Sequence, residues 1–187
     1  MSAAFVQAAA LHDIGKLTLP EQLWSKAGPL EADERCLARR HPVRGHAILR
    51  AMRPAVAEAV AEAALTHHEA WDGSGYPGGL RGREIPLVGR IVGLCDVYAA
   101  LREARAYKAP FSHDQALSLI AATDSAQRAH SGMFDPDLLP VFLRAGQEVR
   151  AAFESAHLQD DGALRRVLDA VTGRVASGAP GRSDPPV

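Results

Sequence analysis

The sequence holds little of what marks a secreted, membrane-bound or nucleic-acid-binding protein. Its only two cysteines, Cys36 and Cys95, lack the paired spacings of a disulfide framework or a zinc knuckle, so we expect buried free thiols. A net charge of −1 excludes a general attraction to large nucleic acids or anionic lipid. No apolar run approaches the roughly 18 residues of a membrane span, and the first residues lack the features of a signal peptide. We therefore expect a cytoplasmic protein.

Aromatic residues and long β-branched runs are also scarce, and no stretch alternates for long enough to make a strand. Aromatic side chains make up 5% of the chain, whereas alanine, leucine, arginine and glutamate, which favour helices, are common. The 187 residues, 47% of them hydrophobic, suffice for one domain with a substantial core. We predict an all-α fold, a helical bundle.

Glycine and proline divide the chain into predicted helices. The alanine-rich start predicts a first helix, which Gly15 would end in a left-handed turn. Pro42 and Gly45 predict a break before a later helix. Ser112 followed by Gln115 predicts a capping box at the start of another helix. The segment IPLVGRIVGLCDVYAALREA is apolar on most faces, so we expect it to form the buried central helix of the bundle.

Imidazole and carboxylate side chains recur at or near the predicted helix ends. Adjacent ligands can serve one ion, or bridge two, most easily at such ends. The combination suits iron, manganese or zinc and disfavours calcium, which prefers oxygen ligands alone. Any one of these histidines alone could be an ordinary hydrogen-bonded residue, but the whole set predicts a metal site. Its members are His12, Asp13, His41, His67, His68 and Asp96.

Five segments in order resemble the signatures of the HD-GYP family of HD-domain metal-dependent phosphohydrolases. They are HDIGK at 12–16, HPVRG at 41–45, HHEAWDGSGYP at 67–77, RIVGLCDVYAALREARAYK at 90–108 and SGMFDPDLLPVFL at 131–143. The resemblance implies an all-helical domain that holds two, sometimes three, divalent metal ions, most often iron or manganese. It also implies hydrolysis of the bacterial second messenger cyclic di-GMP to linear pGpG or GMP.

The resemblance also implies roles for individual residues. Asp13 would bridge two ions and so take part in catalysis, and Lys16 would reach the scissile phosphate or the attacking hydroxide. The first ion would be held by His12 and Asp96, and the second by His41, His67 and His68. The substrate would be held by Arg105, Lys108 and Tyr76, although Tyr76 could instead pack into the bundle. Glu69 and Asp72 would either orient the histidines or brace the loop.

The resemblance divides the chain into three parts and exposes two departures. We expect an HD-GYP domain over residues 1–145, a further helical segment over 146–172 and a disordered tail over 173–187, which is rich in Gly, Pro and Ser. No histidine or acid precedes His12, so the usual upstream ligand is lacking. The chain would then be a fragment or a variant that binds the first ion weakly. Ala99 and Ala106 stand where the family usually has an acid and a proline.

These departures leave alternative functions open. One is a catalytically weak or inactive HD-GYP module that binds a nucleotide, or that binds a signalling protein through the GYP loop, the loop that contains Gly75, Tyr76 and Pro77. Another is a phosphodiesterase that acts on a different cyclic dinucleotide, such as mixed cyclic GMP-AMP. A bundle without its first helices would also expose an apolar stripe, so a homodimer is possible.

Overall fold

The computed structural model describes residues 3–52, 57–103, 109–122 and 132–157, and over these ranges the chain contains helices and no strand. The all-α prediction is confirmed. Short 3-10 helices cover Ile14–Thr18 and Gly82–Glu84. No helix within these ranges is long and apolar enough to cross a membrane. The α-helices are α1 Ala3–Leu11, α2 Gln22–Ser25, α3 Ala32–Ala38, α4 His41–Ala51, α5 Glu58–Thr66, α6 Leu87–Arg102, α7 His113–Ala122, α8 Leu138–Arg144 and α9 Gly146–His157.

Helix α6 lies at the centre of the bundle, as its apolar sequence predicts. On one side, Val88 and Val92 pack with buried residues of α1, α4 and α5. On the other, Ile91, Leu94 and Tyr98 pack with buried residues of α7, α8 and α9. A helix that is buried on both sides needs apolar residues around most of its circumference, which is the pattern seen in its sequence.

Local signals in the sequence locate one helix start correctly. The side chain of Ser112 accepts a hydrogen bond of 3.2 Å from the backbone N–H of Gln115, whose own side chain accepts one of 2.9 Å from Ser112 N–H. This capping box begins α7 as predicted. The prediction of two buried thiols, in contrast, is wrong for Cys36, which is exposed on α3; Cys95 on α6 is partly buried.

Two predictions are wrong: that Gly15 ends the first helix in a left-handed turn, and that Pro42 and Gly45 mark a break. The two glycines instead allow two segments of the chain to lie very close together. Helix α1 ends at Leu11, and Gly15 lies buried in the following 3-10 helix without a positive φ angle. A Cβ atom at Gly15 would lie 2.0 Å from the backbone oxygen of His41. Pro42 and Gly45 do not break the chain but lie within α4, where proline fits the first turn. Gly45 faces Gly15, which brings the turn after α1 directly against α4.

A second close approach joins α6 to the end of α5. A Cβ atom at Gly89 would lie 2.1 Å from Oγ1 of Thr66, and one at Gly93 would lie 2.4 Å from the backbone oxygen of His67. The backbone of α6 therefore touches the last turn of α5 without side chains between them. His67 follows α5 directly and Asp96 lies one turn after Gly93, so this contact brings the two potential ligands together.

We expect Gly93→Ala to lower the free energy of unfolding by about 1–3 kcal/mol, because the new methyl group would meet backbone that cannot move aside cheaply. This loss should appear although alanine is the better helix former by about 1 kcal/mol. Gly28→Ala is the matched control, since a Cβ atom there meets nothing within 4 Å, and its effect should stay within about 0.5 kcal/mol. Urea unfolding followed by circular dichroism measures both. Equal stability of the two variants would contradict the close approach.

Candidate metal centre

Four separate segments bring histidine and carboxylate groups to one place. His12 and Asp13 lie in the turn between α1 and the first 3-10 helix, and His41 is the first residue of α4. The adjacent pair from the GYP motif directly follows α5, and Asp96 projects from within α6. The two glycine-mediated approaches set the distances between these segments.

Asp13 is at the centre of the cluster. Its Oδ1 atom lies 3.2 Å from Nε2 of His41 and 3.7 Å from Nε2 of His67. With His68, these residues place one potential ligand atom each within 4.8 Å of one another. His41 and His67 are buried, whereas Asp13 and His68 are partly exposed. The cluster is thus closed on the protein side and reachable from solvent.

The other carboxylate oxygen of Asp13 faces a second group of potential ligands. Nε2 of His12 lies 3.4 Å from Asp13 Oδ2 and 3.7 Å from Asp96 Oδ1. The imidazole of His12 also meets that of His67 edge to face, with ring centres 4.9 Å apart. The structure therefore brings all six predicted ligands together, with the Asp13 carboxylate between two sets.

Backbone carbonyl groups orient three of the imidazoles. Nδ1 of His12 donates to Ala9 O at 2.8 Å, and Nδ1 of His41 donates to Ala38 O at 2.8 Å. Nδ1 of His67 likewise lies 3.1 Å from two carbonyl oxygens in the last turn of α5. Because a carbonyl oxygen only accepts, Nδ1 carries the hydrogen and Nε2 of each neutral ring is left as a lone-pair donor to a cation. Such outer partners fix the tautomer and orientation of metal-binding histidines.

Several nitrogen and oxygen atoms of the cluster have lone pairs but no hydrogen-bond donor among the described residues. Nε2 of His41 and Nε2 of His67 lie 3.3 Å apart, and a hydrogen bond between them would require one ring to carry two hydrogens. Among the described residues, Nε2 of His12 and Oδ1 of Asp13 are buried without a hydrogen-bond partner. Unsatisfied buried polar atoms cost about 1–3 kcal/mol each. A divalent cation among these lone pairs would remove that cost, so the residues fit a metal centre.

The electrostatics of the cluster also favour a cation. Burial opposes charge on His12, yet the carboxylates of Asp13 and Asp96 raise its pKa to about 10. Burial would raise the pKa of Asp13, but the surrounding imidazoles, that of His12 foremost, hold it well below its usual range. Burial and neighbouring imidazoles lower the pKa of His68 to about 3 and also lower that of His67. At neutral pH the site therefore offers ionised carboxylates, and the imidazoles of His67 and His68 are unprotonated.

Lys16 lies at the edge of the cluster. Its ammonium group donates a hydrogen bond to Oδ2 of Asp13 and lies 5.1 Å from the ring centre of Trp24. Trp24 in turn meets His41 edge to face at 5.9 Å. The sequence analysis did not single out Trp24, since it stands outside the recognised motifs and only the fold brings it to the cluster.

The GYP loop folds back over the histidine pair. Tyr76 stacks on His68, with ring centres 4.8 Å apart and an angle of 24° between the planes. The Glu69 carboxylate accepts hydrogen bonds from the N–H groups of Gly78, at 2.6 Å, and Leu80, at 3.0 Å. Asp72 accepts from the backbone and side chain of Ser74 within a local turn. Of the two roles considered for Glu69 and Asp72, the contacts favour bracing the loop.

A cavity of about 260 Å³ lies beside the cluster, between the GYP loop, α6 and residues 133–135. Its lining includes His67, His68, Tyr76 and Arg39. The guanidinium carbon of Arg39 lies 4.8 Å from the ring centre of Tyr76. Arg39 lies outside the recognised motifs, and the one signal for it in the sequence is a basic residue two positions before HPVRG. The predicted substrate-binding residues Arg105 and Lys108 lie outside the described residues.

A family model described as an HD domain matches residues 2–138. The chain belongs to the HD-domain family. Its motifs and its curated relatives make it a member of the HD-GYP type, as the resemblance implies. The cluster of potential ligands described above contains the histidine and aspartate of HDIGK.

Curated relatives of this HD-GYP chain are longer proteins. It is 40% identical over 164 residues to a cyclic di-GMP phosphodiesterase of Vibrio cholerae, covering 82% of this chain and 31% of the relative. It is 38% identical over 141 residues to a 3'3'-cGAMP-specific phosphodiesterase of the same organism, covering 75% of this chain and 26% of the relative. The chain thus spans about a third or less of these two relatives.

A solved structure shares the fold. The crystal structure of a cyclic GMP-AMP specific phosphodiesterase of Vibrio cholerae matches with a TM-score of 0.50 and 20% sequence identity, over 94% of this chain and 48% of that one. At this identity the likeness concerns the arrangement of helices alone. It agrees with the all-α bundle found here.

We expect His41→Ala to lose most of the bound metal, whereas His46→Ala should keep it. Both histidines lie on α4, but His46 is not part of the ligand cluster. Metal analysis after purification without chelator tests this, together with melting in added Mn²⁺. A ligand that binds only the folded state stabilises it by about 2.7 kcal/mol at roughly 100 times its dissociation constant, so wild type and His46→Ala should melt higher with Mn²⁺. Less than about half an equivalent of metal in wild type would contradict a metal centre.

Proposed function

We propose that this HD-GYP chain is a metal-dependent phosphodiesterase that hydrolyses cyclic di-GMP to linear pGpG or GMP. The observation that carries the proposal is the Asp13 carboxylate, whose two oxygens face separate imidazole groups. A carboxylate shared in this way suits a pair of divalent ions, the arrangement used to cleave phosphate esters. The relative named a cyclic di-GMP phosphodiesterase, at 40% identity, supports the substrate.

The distances in the cluster support the ligand sets that we propose. His12 and Asp96 would hold one ion, Asp13 would bridge, and the three remaining histidines of the cluster would hold the other. Iron or manganese suits this mixture of imidazole and carboxylate. When bound, the ions would activate water as a nucleophile and neutralise charge on the phosphoryl oxygens.

The side chains around the cluster would position the phosphate for attack. Lys16 keeps its ammonium group at Asp13 Oδ2, beside the point where a scissile phosphate would lie, and its positive charge would stabilise the negative charge that grows on the phosphoryl group. Tyr76 and the loop braced by Glu69 border the same place and would limit access of bulk water. Arg105 and Lys108 would add charge for the substrate phosphates.

Another cyclic dinucleotide is the second candidate substrate. The relative at 38% identity named a 3'3'-cGAMP-specific phosphodiesterase supports this alternative. Both substrates present the same phosphodiester to the cluster and differ in one base. Parallel assays with cyclic di-GMP and 3'3'-cGAMP separate the two candidates through the ratio of their kcat/KM values.

We expect the purified chain to hydrolyse cyclic di-GMP in the presence of Mn²⁺ or Fe²⁺, and Lys16→Ala to lower kcat by about 100-fold, the usual effect of removing one group that stabilises the transition state. Lys26→Ala is the control, because Lys26 pairs with Glu34 of α3, at 2.5 Å. Chromatography of the linear products measures turnover. Bound metal without turnover of either dinucleotide would favour a binding module over an enzyme.

A further inference from the structure

Arg39 is held at the rim of the metal cluster in a defined place. It follows α3 directly, and its backbone N–H donates to Arg35 O at 3.0 Å. Its guanidinium lies over the ring of Tyr76, which itself stacks on His68. Two stacked contacts thus connect an exposed cation to a predicted metal ligand.

The side-chain N–H groups of Arg39 have no acceptor among the described residues, in contrast to those of several other arginines. The side chain of Arg35 donates to Leu30 O and that of Arg44 to Thr18 O. For Arg39 no ion pair or side-chain hydrogen bond is found in the described ranges. Its planar set of donors, which suits two oxygens of one phosphate, is therefore available to a ligand.

Arg39 has no ion-pair partner in the described part of the chain, because the other charged groups that line the neighbouring cavity are engaged elsewhere. Arg90, which also lines the cavity, pairs with Asp135 at 2.5 Å. Glu69, another lining residue, commits both carboxylate oxygens to amides of the GYP loop. An anion placed beside His68 would therefore meet a guanidinium that no ion pair or hydrogen bond of the described residues engages.

We propose that Arg39 binds the second, non-reacting phosphate of a cyclic dinucleotide while the first lies at the metal cluster. The inference rests on the proposed function and deepens it, because it assigns a residue to the feature that separates a cyclic dinucleotide from a simple phosphodiester. Stacking on Tyr76 holds the guanidinium in place before the substrate arrives, which lowers the entropy lost on binding.

The test compares a substrate with two phosphates, cyclic di-GMP, and one with a single phosphate, bis(p-nitrophenyl) phosphate. Arg39→Gln should raise KM for cyclic di-GMP about tenfold, the loss of one charge-assisted contact, with kcat within about twofold because binding of ground and transition state is weakened alike. KM for the single-phosphate substrate should not change. Arg39→Lys should recover only part of the loss, since an ammonium group cannot reproduce the planar fork.

Arg40→Gln is the matched control, because this neighbouring residue is also exposed but does not line the cavity. It should leave both substrates unaffected. Calorimetric titration of the metal-loaded protein with cyclic di-GMP gives a second readout that needs no turnover, and Arg39→Gln should weaken binding about tenfold there as well.

The outcomes separate the two proposals. If wild type turns over or binds cyclic di-GMP and Arg39→Gln does not change its KM or affinity, the role of Arg39 is overturned and the proposed function stands. An equal loss for both substrates would overturn it too, since it would indicate damage to the cluster itself. If wild type hydrolyses the single-phosphate substrate but neither hydrolyses nor binds cyclic di-GMP, the proposed substrate fails and the role of Arg39 fails with it.

Discussion

The Nε2 lone pairs of several imidazoles and the carboxylate of Asp13 lie close together in a small, largely buried space, where they repel one another. His41 and His67 bring Nε2 atoms to 3.3 Å, and both face Oδ1 of the same aspartate. Neutral rings whose Nδ1 hydrogens are committed to backbone carbonyls cannot relieve this contact themselves. The arrangement is stable only with positive charge between the groups, whether a proton or a metal ion supplies it.

The ligand groups are held close together because the backbones of their segments pack directly against each other, without side chains between them. Gly15 against α4 and Gly93 against the end of α5 allow the ligand-bearing segments to approach more closely than any side chain would permit. Large side chains would pack the helices equally well, but several ångströms farther apart, and the ligand atoms would no longer converge. Glycine in the middle of α6 costs about 1 kcal/mol of helix stability relative to alanine, so the close approach is favoured at the expense of local stability.

The rim of the cluster combines rings with cations. Lys16 lies near Trp24, and Arg39 lies over Tyr76, while His41 and His68 are the ring neighbours of the two aromatic residues. The rings help to hold both basic side chains in place, and of the two only Lys16 is also paired with a carboxylate, that of Asp13. Positive charge is thereby kept at the mouth of a site that suits an anionic substrate.

Local chemistry in the sequence was enough to predict some features. Helix formers without alternating strands indicated the all-α fold, Ser112 and Gln115 marked the start of α7, and the motifs named the six residues that the structure brings together. Each of these signals acts within a few residues along the chain. By contrast, only the tertiary structure decided that Gly15 and Gly45 allow a close contact, that Glu69 braces the GYP loop, and that Arg39 and Trp24 lie beside the cluster. These features depend on contacts between residues far apart in the chain, and a residue's identity does not say which distant backbone it will meet.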